Sequence, residues 1–408
     1  MMRDKSVKKF DMLDDIRYTV GAIRQNGWYC PAPAPVECTQ FPALPVGAQA
    51  GWYSQANGAF YVVCGGSVYR LSEGASSFAE ATDSAAQGVF FADMYISGFS
   101  ATVIFSGTKR IVYSGYAQEE AQDTRTFSAG TVHCGRFFGI DAADGFKLWW
   151  SASHALDWTE GIYGCGYAVL PPSGGKMLAL FSCKDRLFAV RERGITVIHA
   201  YGDPQNYKID ATAEYACADG IIASTCAMCA GELVFCTPSG IFSFDGSRVR
   251  RLYSFGGSPL SSPLSAAACG DVYWLICTHE TLGEGELCGF MPEEGCVWAA
   301  DFKPDFLFAG VDGVYAALGQ SVYGLSALHQ GGAKLYFGPA GFGGCGHAFL
   351  RDVEIDCRGS CELTVISRGA KLTLSGGGPH AVNMGGGRYE FILSFGGSLR
   401  SFTVAAEV

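Results

Sequence analysis

One hairpin pattern returns through most of this chain. Glu232 to Gly246, ELVFCTPSGIFSFDG, has looser copies before and after it about every 43 residues. The others begin near Gly58 (GAFYVVCGGSVYRL), Ala101 (ATVIFSGTKRIVYS), Arg136 (RFFGIDAADGFKLWW), Arg186 (RLFAVRERGITVI), Asp271 (DVYWLICT, then a longer loop) and Gly313 (GVYAALGQSVYGL). Each is a short apolar strand, a turn carrying Gly, Ser, Asp or Asn, and a second apolar strand. A period of about 40 to 50 residues in an all-β pattern is the spacing of propeller blades. Seven hairpins therefore predict an all-β fold, a six- or seven-bladed β-propeller.

Composition agrees with that reading. With 408 residues, 49% hydrophobic and 17% charged, the chain can bury a large core. Its 55 glycines cluster at turns, as many short strands require. The net charge is −10, and after the first ten residues no run of Lys or Arg exceeds Arg250-Arg251. A protein gripping nucleic acid by its phosphates needs a clustered basic face. Tight DNA binding is not expected, and an acidic surface repels DNA passing nearby.

The opening MMRDKSVKKFDMLDDIRYTV has no uninterrupted apolar core and does not read as a secretory signal. No apolar run is long enough to predict a membrane span. The 17 cysteines lie mostly in strand-like runs, at Cys64, Cys183, Cys236 and Cys277 among others. There they act as small hydrophobes, and they read as reduced thiols of a protein made in the cytosol.

Three regions are expected. Residues 1–48 depart from the hairpin pattern: a loose spacing of Phe10, Leu13, Arg17 and Val20 with Ile16 and Ile23, that of a short amphipathic helix weakened by Thr19, Val20 and Gly21, precedes CPAPAPVECTQFPALP, which its prolines hold extended. They read as an extended N-terminal arm. Residues 49–338 form the propeller, with Ser114 to Thr126 as an outer strand or exposed loop and Thr278 to Leu287 widening the sixth blade. Residues 339–408 alternate strictly in hydrophobicity and predict a small C-terminal antiparallel β-sandwich, with Ser375 to Gly387 as its long glycine-rich loop.

Few constellations suggest chemistry. Cys226-Ala-Met-Cys229 has the spacing of half a zinc site, with Cys217 as a third ligand, but no second pair follows. Cys357 and Cys361 flank a turn and read as packing residues. The seven histidines are isolated from one another, and no Ser or Cys sits in a nucleophile elbow. No catalytic residue, cofactor or metal is predicted. Propellers often host glycosidases, which need paired carboxylates. The one dense group is Asp141, Asp144, Asp157 and Glu160 with Trp158, the glycan-site candidates under that reading. Ser151 to Trp158 is similar to a sialidase Asp-box but lacks its central glycine, so Asp157 reads as a turn former and Trp158 as packing between blades.

The segment Arg186 to Leu252 carries a more specific likeness. Its phrases are Arg193-Gly194-Ile195-Thr196-Val197-Ile198, then Tyr201-Gly202-Asp203-Pro204, then the hairpin Ser239 to Gly246. In that order they resemble the β-propeller structural proteins of tailed bacteriophages, of the tail-nozzle, DNA-stabilisation or head-closure type. Gly135 to Ser151 with Asp157-Trp158, and Lys334-Leu-Tyr-Phe-Gly-Pro339 with the sheet after it, are similar to the same group, so the likeness covers residues from about 130 to 395. The cysteine count and the PAPAP arm depart from it.

The resemblance implies a non-enzymatic virion component, made in the host cytoplasm. It would form a homo-oligomeric ring at the neck or tail with other tail, neck or portal proteins. DNA would pass transiently without specific binding. Two other readings stay open: a carbohydrate-binding or glycan-cleaving propeller at a tail tip or cell surface, and an intracellular interaction scaffold.

Overall fold

The computed structural model describes residues 7–13, 16–25, 28–39, 41–82, 88–114, 117–122, 125–159, 164–204, 207–217, 219–254, 261–279, 283–293, 296–300, 302–310, 312–328, 333–340, 342 and 348–407. Their regular secondary structure is almost entirely β-strand, and they fall into two compact units.

The larger unit is Glu37–His279 with Pro304–Tyr323. It holds five complete four-stranded antiparallel sheets in chain order. Blade 1 is Ala48–Ser54, Ala59–Cys64, Ser67–Leu71 and Ala79–Thr82. Blade 2 is Phe90–Ile96, Phe99–Ser106, Lys109–Ser114 and Ala117–Gln122. Blade 3 is Phe127–His133, Arg136–Asp141, Lys147–Trp150 and Gly166–Val169. Blade 4 is Met177–Cys183, Arg186–Arg191, Gly194–His199 and Lys208–Ala216. Blade 5 is Ile222–Cys229, Glu232–Thr237, Gly240–Phe244 and Val249–Ser254.

A sixth sheet begins with Ser261–Cys269 and Val272–His279. The seventh is Phe306–Ala309, Val314–Leu318 and Ser321–Leu328, with Pro33–Glu37 as its outer strand. The first strand of each sheet packs beside the first strand of the next, and Phe306–Ala309 packs beside Ala48–Ser54. The seven inner strands thus close a ring, which is the seven-bladed propeller.

The hairpins recognised in the sequence are the second and third strands of each blade. They are the most apolar because both faces are covered by neighbouring blades. Between blades 1 and 2, Tyr61, Val68, Ile104 and Ile111 form one buried cluster; between blades 4 and 5, Phe188, Val190, Phe235 and Phe244 form another. Ring closure rests on the same physics, with Phe60 stacked on Phe308 at 4.5 Å between blades 1 and 7. The glycines of the recurrent Ser-Gly-Ile-Phe hairpin are required by contact. A Cβ on Gly240 would run into the Tyr253 carbonyl oxygen, and Gly246 holds φ +92° against the Arg186 guanidinium. Arg186 Nη1 donates to the Gly246 carbonyl at 3.0 Å and so ties blade 4 to blade 5.

The smaller unit is Met1–Val36, Glu280–Lys303 and Gly324–Val408, a different partition from divisions at residues 48 and 338. Between residues 7 and 25 the described residues are mostly in strands where a short helix was expected, because each strand pairs with a partner strand. Val7–Asp11, Ile16–Val20, Ala22–Gln25 and Trp28–Pro31 are strands, and Val7–Asp11 pairs with Ser398–Glu407 along its length. One sheet runs Ala22–Gln25, Trp28–Pro31, Ser398–Glu407, Ala348–Arg358, Gly378–Gly386. The other includes Cys296–Ala299, Ile16–Val20, Ala333–Ala340, Tyr389–Phe395, Cys361–Ser367 and Ala370–Ser375.

These two sheets share one core of Leu335, Val353, Ile355, Leu363, Tyr389, Phe391, Leu393 and Val404. The pairing of Ile16–Val20 with Cys296–Ala299 is parallel, so the unit is not purely antiparallel. The expected loop from Ser375 to Gly387 is instead mostly strand, because Gly378–Gly386 pairs with Ala348–Ile355. The segment Thr278 to Leu287 likewise runs into the strands Val272–His279 and Gly283–Met291, with residues 280–282 outside the described set.

Candidate functional site

The glycan-site candidates fall in blade 3 and the loop after its third strand. Asp141 ends the strand Arg136–Asp141. Its Oδ1 accepts the N–H groups of Ala143 and Asp144 at 2.9 and 3.0 Å, and its Oδ2 accepts the Trp149 indole N–H at 3.0 Å. Partial burial pushes this carboxyl up, but those three donors and nearby Lys147 outweigh it and hold the group below its ordinary value. Asp144 sits in the same turn and accepts the Phe146 N–H at 3.1 Å.

Asp157 lies in the loop that follows the third strand, where it accepts the Thr159 N–H and hydroxyl, both at 2.8 Å. Those two donors lower its pKa. Trp158 is buried in the seam between blades 2 and 3, 5.6 Å from the Phe127 ring and edge-on to Phe137. Glu160 lies outside the described residues. The structure therefore joins Asp141 and Asp144 in one turn and places Asp157 in another, and each carboxylate is engaged by its own turn. None of them lines the cavity of about 590 Å³ between Ser367, Arg368, Arg388 and Glu390 in the smaller unit.

The CxxC pair is interior. Cys226 and Cys229 lie on the inner strand of blade 5, and burial raises both thiols, Cys229 to about 12. Among the described residues no group of three or more His, Cys, Asp or Glu is placed to hold a metal, and the described cysteines are all free thiols.

Charge at the centre of the ring is nearly absent. Across the seven inner strands the only Asp, Glu, Lys or Arg is Asp93. Its carboxylate accepts from Ser54 Oγ (2.8 Å), Thr102 Oγ1 (3.0 Å) and the N–H groups of Gln55 (2.7 Å) and Ala56 (3.2 Å). Other polar groups join blades in the same manner. His133 Nδ1 lies 2.8 Å from Ser182 Oγ, across blades 3 and 4. The Tyr273 hydroxyl donates to the Thr225 carbonyl at 2.6 Å, from the sixth sheet to blade 5. Single-residue inspection missed these links because each joins residues some forty to fifty positions apart, about one blade. The blade period itself was the available signal.

No protein-family model and no curated protein matches the sequence. In solved structures the chain is similar to the β-propeller domain of Cps50 (Swd1) from Myceliophteria thermophila. The identity is 12%, the match covers 72% of this chain and 99% of that one, and the TM-score is 0.50. A chain of a mitotic checkpoint complex matches at 8% identity over 75% of this chain and 97% of that one, with TM-score 0.42. The first likeness and the closed ring of sheets define the class: this is a β-propeller protein. At such identity the likeness speaks to the fold alone. No helix among the described residues is long and apolar enough to cross a membrane.

Proposed function

We propose that the chain is a non-enzymatic structural subunit of a tailed-phage particle. In this reading it is a propeller that assembles head to tail into a ring at the neck or tail, beside other tail, neck or portal proteins, and lines or seals the passage for DNA. The observation that carries the reading is the likeness of Arg186 to Leu252 to phage propellers. That segment spans the second to fourth strands of blade 4 and blade 5 as far as Leu252. The charge distribution supports it. Of the ionised side chains in the larger unit, 23 are Asp or Glu and 15 are Lys or Arg, a balance under which DNA slides past without adhering.

A closed propeller suits such a role because most of its strand edges are paired and its surface loops can differ from blade to blade. A heterologous interface that closes on itself then builds a ring. Electron microscopy of the purified full chain tests the proposal. Closed rings, with no DNA retained at physiological salt, support it. A persistent monomer that binds glycans on an array overturns it.

A further inference from the structure

Among the described residues, Cys134 is the one cysteine that is exposed. It stands on the two-residue turn between Phe127–His133 and Arg136–Asp141, with φ +48°, and Gly135 follows at +74°. A non-glycine residue in the left-handed region is held there by its surroundings. The His154 ring packs over Gly135, and the His154 N–H donates to the Gly135 carbonyl at 2.7 Å. His154 therefore holds the turn by both its ring and its backbone.

The Cys134 Sγ lies 3.4 Å from Nε2 of its neighbour His133. That imidazole is buried, and its Nδ1 lies 2.8 Å from Ser182 Oγ on the inner strand of blade 4. One tautomer uses both contacts with a free base facing the thiol: Nδ1–H donates to Ser182, and Nε2 accepts the Cys134 S–H. A nucleophile, a base within reach of it and a third group orienting the base form the arrangement that activates a thiol. Cys64, by contrast, is half-buried and donates to the Val46 carbonyl at 2.8 Å.

We propose that Cys134 is a site of covalent modification by low-molecular-weight disulfides, with His133 as general base. The S–H proton moves to His133 Nε2 as Sγ attacks one sulfur of the disulfide. A new S–S bond forms, the original one breaks, and the departing thiolate takes the proton back from the imidazolium. Cys134 is oxidised to a mixed disulfide, and half of the reagent is reduced to a free thiol.

The groups that face the pair fix its pH dependence. Burial and the Asp185 carboxylate, on the turn after Cys183, push the Cys134 thiol up. Burial pushes His133 down, against a hydrogen bond that its ring donates to the Asp185 backbone carbonyl and the charge of the Asp185 carboxylate. Tyr207 is the further titratable group coupled to Cys134, and its own pKa is raised by burial. The resting pair is therefore a neutral thiol against a neutral imidazole. Its reaction proceeds by proton transfer in the attack, with no thiolate formed beforehand.

The test is thiol exchange on the full chain with glutathione disulfide and with dithiobis(nitrobenzoate), followed by peptide mapping. Cys134 is expected to react about tenfold faster than any other cysteine, at a rate that levels off above the His133 titration. His133→Gln keeps a partner for Ser182 without the base, and slows Cys134 by about tenfold or more at neutral pH. Cys134→Ser removes the fast phase. Ser182→Ala keeps the base while loosening its orientation and gives a smaller loss; its melting curve, and that of His133→Gln, separate this chemistry from unfolding. The proposal is overturned if Cys134 reacts no faster than the half-buried thiols. It is equally overturned if the rate keeps climbing with hydroxide concentration through the alkaline range and folded His133→Gln leaves it unchanged.

Discussion

Asp93 on the inner strand of blade 2 accepts the hydroxyl proton of Ser54, at the end of the inner strand of blade 1, at 2.8 Å. Ser54 and Thr102, its two hydroxyl donors, are both fully buried. One carboxylate therefore satisfies two interior hydroxyls and two backbone N–H groups at a blade junction. Asp93→Ala removes the acceptor that these four groups share, and a cost of about 3 kcal/mol is expected. Urea unfolding measures it; Asp93→Asn, which can still accept, is expected to lose less.

The Phe60–Phe308 stack closes the ring, and both rings are nearly inaccessible to solvent. Phe308→Ala opens a cavity at the seam between the first and seventh sheets and is expected to cost about 3 to 5 kcal/mol. The loss is visible as a lower midpoint in denaturant. If the stack were incidental, the change would be within about 0.5 kcal/mol, as for a surface site.

Trp158 has its indole nitrogen buried without a hydrogen-bond partner. Trp158→Phe removes an unsatisfied donor along with some packing and is expected to fall within about 1.5 kcal/mol of the parent, whereas Trp158→Ala costs about 3 to 5 kcal/mol. Thermal melts of the two variants separate a packing residue from a sugar-stacking one, which would alter ligand binding with little change in melting.

Asp245, in the turn that ends the recurrent hairpin of blade 5, accepts the Ser247 hydroxyl at 2.6 Å, and that bond, with the Ser247 and Arg248 N–H groups, lowers its pKa to about 2. The depressed value means that the contribution is complete above the unfolded-state pKa of 3.8 and is lost as pH falls from there through about 2. Asp245→Asn is expected to flatten this acid limb by less than about 1 kcal/mol, since the group is largely solvated. Stability measured against pH from neutral to strongly acid checks the sign.

Arg191 is buried and held by backbone carbonyls. Its Nε donates to the Gly175 carbonyl at 3.0 Å, and Nη2 donates to the carbonyls of Gly175 and Pro171. A lysine cannot reproduce that fork. Arg191→Lys is expected to destabilise by about 2 kcal/mol or more, and differential scanning fluorimetry shows it as a lowered transition.

Much of this architecture was legible in the sequence because the two middle strands of each blade are covered on both faces. Phe235 and Phe244 had to be apolar, and their hairpin stands out. The inner strands are harder to see. Ile222–Cys229 is made mostly of small residues, and in Ala48–Ser54 Phe60 and Phe308 leave no room for a side chain at Gly51. The N-terminal strands were read as an arm because their partners lie far away in sequence. Val7 pairs with Glu407, and no local pattern encodes that register. The alternation of Tyr389, Phe391, Leu393 and Phe395 was legible for the opposite reason: every second residue enters one core. At the candidate site, Asp157 and Trp158 were readable as turn and packing residues. The pairing of Cys134 with His133 was not, because adjacent residues on a strand point to opposite faces unless a turn brings their side chains together.

The outer strand of the seventh sheet has a consequence for biosynthesis. Ser321 donates to the Glu37 carboxylate at 2.9 Å across 284 positions of chain, so the earliest-made part of this sheet waits for the last-made part. At roughly 5 to 20 residues per second, the interval on the ribosome is on the order of 15 to 60 seconds. During it the nascent chain accumulates blades 1 to 5 with no closed circle, and strand edges stand open to neighbouring chains. Yield in the cell is thus tied to translation speed and chaperone supply, and a circular permutant that begins at Gly47 and joins Val408 to Met1 would make Pro33–Glu37 after Leu328 and shorten that exposure.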